Sequence, residues 1–267
     1  MKIRTLFLVL TMVFSLPLAA QEQAADQDTA ATSSPVQWSL GLGVISSPRP
    51  YVGAKNSVMP IPIIGLNYKK LYIQGIQAGF KFVDTKNFRF DARAGIVFAG
   101  LDPDDSPYLE GMEERDSTIE GGFVFDWKPG NFRLSASAYT DLLGRSDGQQ
   151  AGLDFSRAWR FNRSQWGITP SIGFVWQSSN FVDYYFGVTP EEANPDRPPF
   201  DGHSVINFRS SILVYYFVNK RVQLVGLVRV QRLDNEIYES PIVDKRRGYF
   251  GLIGATWRFG KLPPRPS

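Results

Sequence analysis

The chain of 267 residues contains no cysteine and a single histidine, His203. Without cysteine it has no disulfide, no thiolate metal ligand and no lipid-modified cysteine of the lipoprotein type. A single histidine also excludes a histidine-rich metal site and weakens most hydrolase interpretations. We therefore expect no metal and no other cofactor.

Long apolar runs are equally scarce. The one run near the N-terminus, residues 6–18, follows the basic residues Lys2 and Arg4 and precedes Ala19-Ala20, which is the layout of a secretory signal peptide. It is too short to span a bilayer comfortably. We predict that residues 1–20 are a cleaved signal peptide and that residues 21–35 are a disordered periplasmic lead-in.

An excess of charge of one sign is also missing. Of 29 basic residues, two lie in the predicted signal peptide, so 27 remain against 26 acidic residues, a net charge of +1. The pI of about 9.0 is therefore no indication of nucleic-acid binding. We expect no nucleic-acid partner.

What the sequence does contain is aromatic residues, at 14%, and 24 glycines, with a mean hydropathy of only −0.18. From Trp38 onward the dominant period is two. Between Phe132 and Asp141, for example, apolar residues alternate with polar ones. Such runs are about ten residues long, which is the length that a tilted strand needs to cross a bilayer.

A soluble sandwich would show the same alternation, but two further features favour a membrane barrel. Aromatic residues gather where the runs end, as at Trp127, Trp166 and Trp257, which is how the aromatic girdles of a barrel look in a sequence. Short turns also alternate with longer connections, as expected of periplasmic turns and external loops. The longer connections are 47–57, 100–116, 177–202 and 234–246.

The alternating segments predict the strand count. They number eleven, which is odd and puts the 100–116 loop out of phase with the other long loops. Splitting 71–83 into two short strands near Gly75 to Gly79 restores the alternation, so we predict an all-β, transmembrane, antiparallel up-and-down β-barrel of twelve strands over residues 36–259, with ten as the alternative. Pro170 inside a strand predicts a bulge or a missing ladder bond. The segments are 36–46, 58–68, 71–83, 88–98, 117–127, 132–142, 149–160, 166–176, 203–217, 222–232 and 247–259.

The last strand ends at Phe259 and contains a partial assembly signal of outer-membrane proteins. Gly254, Trp257 and Phe259 match its spacing, whereas Leu252 stands where a polar residue is usual. The barrel-assembly machinery is the expected partner during biogenesis. Pro263 and Pro264 cannot extend a ladder, so residues 260–267 are predicted to be a Pro-rich periplasmic tail.

Strand parity predicts which charged side chains face the lumen. Because both signs are present, we interpret them as a paired network that fills a narrow barrel, with a pore that has a selectivity zone as the alternative. The predicted lumen residues are Arg89, Asp91, Arg93, Glu120, Asp126, Arg133, Asp141, Arg209 and Arg229.

Three sequence pieces point to a family. They are 47–53 (SPRPYVG), 184–188 (YYFGV) and 239–243 (ESPIV), and they include Tyr185, Phe186, Gly187, Val188, Ser240 and Pro241. On these pieces, and along residues 38–259, the chain resembles the MipA/OmpV family of outer-membrane proteins, named for a protein that interacts with a murein transglycosylase.

The resemblance implies a non-enzymatic protein of the Gram-negative outer membrane, in contact with its lipid and lipopolysaccharide. It implies a scaffold for peptidoglycan machinery, with a murein transglycosylase and a murein synthase as partners. The family supplies no catalytic residues. The alternatives are a narrow channel or transporter for small solutes and, third, an outer-leaflet lipid hydrolase that uses His203 with a nearby serine and an acid such as Asp201.

Overall fold

The protein is described by a computed structural model that covers residues 37–259 apart from residues 57, 98–99 and 163. The predicted signal peptide (1–20), lead-in (21–35) and tail (260–267) lie outside the described residues. The rest is all-β, and its strands form one antiparallel sheet that closes on itself. The strands are β1 (Gln37–Ser46), β2 (Val58–Tyr68), β3 (Leu71–Gln74), β4 (Gln77–Asp84), β5 (Phe88–Val97), β6 (Thr118–Trp127), β7 (Phe132–Asp141), β8 (Gln149–Arg157), β9 (Trp159–Phe161), β10 (Trp166–Gln177), β11 (Val205–Phe217), β12 (Val222–Arg232) and β13 (Arg247–Phe259).

The closed sheet counts as a twelve-stranded barrel, as the sequence predicted. The short segments β8 and β9 flank Ala158 and pair with successive parts of the same strand, β10, so together they form one interrupted strand. Closure is made by β1 and β13, where Trp38 pairs with Phe259 and their rings stack with centroids 3.9 Å apart.

Two local predictions are confirmed by the register. The 71–83 segment divides into β3 and β4 at a tight turn in which Gly75 has a φ of 60°, a conformation that glycine adopts without steric cost. Pro170 lies in β10 between the part that pairs with β9, which ends at Ile168, and the part that pairs with β8, which begins at Ser171. The missing ladder bonds therefore occur at the proline.

Alternation along each strand sends apolar side chains outward and most polar ones inward. Ile253 is 76% exposed and Leu42 73% exposed on the outer face, which is the reverse of a soluble domain. In a bilayer these side chains contact lipid, so the outer face needs no protein partner.

The two ends of the barrel differ in the length of their connections. At one end are short turns that include 69–70, 85–87, 128–131 and 218–221. At the other end are the long loops, with 3₁₀ turns at Pro103–Asp105 and Pro107–Leu109 and the helices α1 (Ser179–Phe186) and α2 (Asn235–Glu239). The short-turn end is therefore periplasmic and the long-loop end external. Within the described residues, both helices are too short to cross a membrane.

Candidate functional sites in the lumen and the external cap

The inward face of β5 carries the most enclosed charge cluster of the lumen. Asp91 is fully buried, and its Oδ2 lies 3.1 Å from Nη2 of Arg89 and 3.2 Å from Nη2 of Arg93. The Tyr72 hydroxyl of β3 donates to the same carboxylate and accepts from Nε of Arg93, at 3.0 Å. The three charged residues stand two apart on one strand, so the pleat brings them to the same face.

Two further ion pairs continue around the wall. Nε of Arg133 lies 3.8 Å from Oδ1 of Asp126, between β7 and β6. Arg209 of β11 forms a bidentate ion pair with Asp154 of β8, in which Nε of Arg209 lies 2.8 Å from Oδ1 of Asp154. Arg229 is also buried on the inward face of β12. Asp154 was missed because its run was not assigned to the lumen face, although strand parity could have found it.

A ladder of amide side chains crosses the wall next to these pairs, and the sequence analysis did not identify it. Gln150 donates to Glu120 at 2.5 Å, and Gln177 donates to Gln150 at 3.1 Å. Asn207 donates to Gln177 at 2.7 Å and accepts from the backbone N–H of Asp234. The ladder joins four strands to the loop after β12. Only charged residues were predicted from the sequence to face the lumen, so these neutral amides were not included.

Asp141 lies apart from the lumen cluster. Its carboxylate accepts from the backbone N–H groups of Leu143 and Ser146, at 3.0 and 2.7 Å, and from the Thr118 hydroxyl. It thereby orders the connection between β7 and β8. Of the predicted lumen residues, the others lie on the inner wall and are buried there or lie beside a buried partner.

Another part of the inner wall is apolar. Strands β1, β2, β11, β12 and β13 contribute a packed cluster of inward side chains, against which Met59, Phe217 and Val225 are partly buried. The inner wall therefore has an apolar side, toward β1 and β2, in addition to its charged clusters. The cluster consists of Ile45, Ile61, Leu213, Tyr215, Leu227, Phe250 and Leu252.

The external loops fold together into a second hydrophobic core, which we call the cap. The cap contains the three sequence pieces that pointed to a family. The Tyr51 hydroxyl donates to the carbonyl of Tyr185 at 3.0 Å, and the Ser240 hydroxyl donates to the carbonyl of Phe186 at 2.6 Å. The cap core is built from Tyr51, Val97, Leu101, Leu109, Met112, Phe181, Val182, Tyr185, Phe186, Val188, Val205, Leu233, Ile237, Ile242 and Val243.

The other motif residues complete these contacts. Gly187 ends α1, and a Cβ at this position would overlap the carbonyl oxygen of Asp183. Val188 pairs with Phe200, and Pro241 follows Ser240 in the turn that returns to β13. The family pieces are thus explained by the packing of the cap.

Ion pairs tie the loops of the cap to one another. Nη2 of Arg115 lies 2.7 Å from Oε1 of Glu192, and Arg49 contacts Asp105. Burial raises the pKa of the Glu192 carboxyl, but backbone N–H groups of Glu113 and Thr189, together with Arg115, outweigh it and hold the pKa below the usual value. Burial raises the pKa of the Tyr51 hydroxyl, which therefore stays a hydrogen-bond donor.

His203 takes part in a surface contact. Its Nδ1 lies 2.8 Å from Oε1 of Glu236, and its side chain is 77% exposed. Within the described residues there is no group of three or more His, Asp or Glu side chains that could hold a metal ion.

The periplasmic end carries a ring of basic side chains, which we call the basic rim. Among the exposed charged residues described in or beside the short turns, only Asp84 is acidic, and it pairs with Lys81 at 2.8 Å. The basic rim consists of Lys69, Lys70, Lys86, Arg157, Arg160, Lys220 and Arg221.

Comparison with known proteins identifies the family. The family model described as MltA-interacting protein MipA matches residues 40–259, which is nearly the whole barrel. The chain belongs to the MipA family. The chain is also similar to the putative outer membrane protein YiaT of Escherichia coli K12, which is 25% identical over 92% of this chain and 96% of its own length. The MltA-interacting protein of the same organism is 27% identical over 84% of this chain and 90% of its own length.

Among solved structures, this MipA-family barrel is similar to the COG4313 outer membrane channel from Pseudomonas putida F1. The TM-score is 0.44 and the identity 10%, over 87% of this chain and 98% of the channel. The protein is an outer-membrane β-barrel, in agreement with the localisation predicted from the sequence.

Proposed function

We propose that this protein is a closed, non-enzymatic scaffold of the outer membrane that holds a murein transglycosylase, and through it a murein synthase, at the periplasmic surface. The observation that carries the proposal is the basic rim on the one face of the barrel that looks toward the peptidoglycan. The name of the relative that interacts with MltA supports the choice of partner.

The side chains of the interior support the scaffold function rather than the function of a pore. The lumen wall carries the clusters around Asp91 and Asp154, and the external mouth is covered by the cap. Small barrels filled by their own side chains do not leave a wide aqueous path. The outer surfaces are then the parts of the molecule that remain for binding.

The basic rim gives the scaffold a means of recognition. A cluster of one sign of charge steers an oppositely charged partner and fixes its orientation, with an effect that weakens as salt rises. We infer that the partner presents an acidic surface.

Charge reversal tests the proposal. We expect the variant Lys69→Glu/Lys70→Glu/Lys86→Glu to bind the purified murein transglycosylase at least about tenfold more weakly than the unchanged protein, in detergent without lipid. The unchanged protein should also lose affinity between low and physiological salt.

A matched variant on the external side provides the control. Lys55→Glu/Arg232→Glu/Arg247→Glu changes the same number of exposed basic residues at the opposite end. Equal loss of binding in both variants, or no binding by the unchanged protein, would contradict the scaffold function.

A further inference from the structure

The barrel wall has a notch in its external half, between β2 and β5. Residues Val58–Ile63 of β2 pair with β1, but on their other side no described strand pairs with them, because β3 pairs only from Gly65 onward. The hairpin between β3 and β4 ends at Gln74–Gln77, well below the external end of β2. We call this opening the lateral notch.

The width of the lateral notch follows from the two strands that stop short. At the level of the hairpin, β3 and β4 lie between β2 and β5, so β2 and β5 are about 14 Å apart there, which is three strand spacings. On the far side, the last link from β5 to the hairpin is the N–H of Ile96 to the carbonyl of Ile76, at 3.4 Å. Val97 pairs with β6 alone among the described strands.

The chemistry of the open edge is unusual. The carbonyl of Ile64 points toward the hairpin, since it accepts from the N–H of Gly75 at 2.7 Å. Backbone directions alternate along a strand, so Pro60 and Pro62 direct their backbone nitrogens to the same, open side. Proline has no N–H. The edge therefore lacks two donors that would be unsatisfied in hydrocarbon.

The prolines also decide what the notch accommodates. A strand added to this edge, from a second copy or from a peptide, would find no donors at Pro60 and Pro62, and prolines on an edge prevent such pairing. An apolar chain needs no hydrogen bonds from the edge. The missing donors thus disfavour a paired strand from another polypeptide, whereas a hydrocarbon chain does not depend on them.

The position of the notch is within the apolar band. On the adjacent β1, outward side chains from Trp38 near the periplasmic end to Val44 near the external end are apolar and exposed, and Val58 of the notch edge is exposed as well. The lateral notch therefore opens into the outer leaflet of the membrane rather than into water.

Behind the open edge lies the apolar side of the lumen. Ile61 and Ile63 point inward from the edge, and Cδ1 of Ile63 rests over Gly43 and Gly254 of the neighbouring strands. Ile61 belongs to the packed cluster with Ile45 and Leu252. A continuous apolar surface thus runs from the outer leaflet, past the edge, to the inner wall, while the cap covers the axial route.

We propose that the lateral notch is a site at which one acyl chain of an outer-leaflet lipid leaves the bilayer and lies against Ile61 and Ile63. Two apolar surfaces, one outside and one inside the wall, meet there without a hydrogen-bonded strand between them. The site would take an extended hydrocarbon chain and leave the polar headgroup at the membrane surface.

Photolabelling tests this site on the unchanged protein. The barrel is reconstituted in bilayers that contain a phospholipid with a diazirine near the end of one acyl chain, irradiated, and digested for mass spectrometry. We expect adducts on the inward side chains Ile61 and Ile63, several-fold above those on Val124. Val124 is the matched control, since it is a buried inward valine of β6 whose strand is paired on both sides.

A variant distinguishes labelling at this site from unspecific labelling of the barrel wall. Ile61→Trp should fill the space behind the edge, so adducts on Ile63 should fall while those on the outward Leu42 stay unchanged. Retention of the barrel is checked by its shift on a gel without heating. If Ile61 and Ile63 carry no more label than Val124, or if cross-linking instead joins the β2 edges of two copies, the proposal is wrong.

Discussion

At the scale of single residues, the charges on the lumen face of β5 are buried and paired with one another. Asp91 sits between two arginines and a tyrosine, and none of the four side chains is more than slightly exposed. Charges removed from water are tolerated only when they are paired and hydrogen-bonded. The removal of one partner from this cluster should therefore cost far more than the removal of a surface charge.

We expect Asp91→Asn to lower the free energy of unfolding by about 3–5 kcal/mol, because Arg89 and Arg93 lose their buried counter-charge. Urea titration of the barrel in lipid vesicles, followed by the gel shift of the unheated protein, measures the change. Asp84→Asn is the control, since its partner Lys81 is near the surface and such pairs contribute at most about 1 kcal/mol. Similar losses in the two variants would refute the buried network.

Glu192 gives the cap a defined response to acid. Its pKa lies below the usual 4.5, so its ionised form stabilises the folded cap above that pH, and this contribution is lost as the pH falls through the lowered pKa. We expect protease cleavage in the external loops to stay slow at pH 4.5 and to accelerate only in stronger acid. In Glu192→Gln the cleavage should already be fast at neutral pH, with the acid step reduced. A cap equally resistant in both proteins would contradict this role for Glu192.

At the scale of elements, the closing strand β13 shows why glycine is needed at the seam. A Cβ on Gly254 would overlap Cδ1 of Ile63, two strands away, whereas at Gly251 the nearest atom is 3.9 Å away. The glycine of the assembly signal thus has a packing function in the finished barrel. A side chain of β2 therefore limits the size of the residue that β13 can carry at position 254, across the intervening strand β1.

We expect Gly254→Ala to reduce the yield of folded barrel, and Gly251→Ala on the same strand to leave it nearly unchanged. The double variant Gly254→Ala/Ile63→Ala should recover part of the loss, because the colliding methyl group is gone. Folded yield is read from the gel shift after refolding into vesicles. If the double variant recovers no folded yield, the loss in Gly254→Ala does not come from the contact with Ile63.

The elements also show how far the sequence could be interpreted alone. Period-two runs and loop alternation predicted the twelve strands, because lipid outside and polar groups inside impose that pattern on each strand. The interruption at Ala158 and the fold of the cap could not be predicted, because they depend on contacts such as that between Ser240 and Phe186, which are distant in sequence. The lumen charges followed from parity, which would also have found Asp154, whereas the amide ladder needed the structure.

At the scale of the whole molecule, the external loops pack into the cap and the periplasmic end carries the basic rim. The inner wall between them carries ion pairs, which we interpret as narrowing the axial path. On the proposed function, the protein binds a partner and does not conduct solutes.

We expect the purified protein in a planar bilayer to give no large, stable conductance steps, because on our proposal the paired side chains of the inner wall fill the lumen. Residual short-lived steps should become more frequent in Arg115→Ala, which removes the pair with Glu192 from the cap. A large, persistent channel formed by the unchanged protein would favour the alternative of a solute pore.

The seam between Trp38 and Phe259 has a consequence for how the barrel forms. The two strands that meet there are the first and the last of the described chain, so their pairing has the greatest sequence separation in the molecule. Bringing such distant segments together costs conformational entropy. This cost is smallest once the intervening hairpins have formed, because they shorten the loop that remains to be closed. We therefore expect the pairing of β1 with β13 to be the slow step in the folding of the barrel.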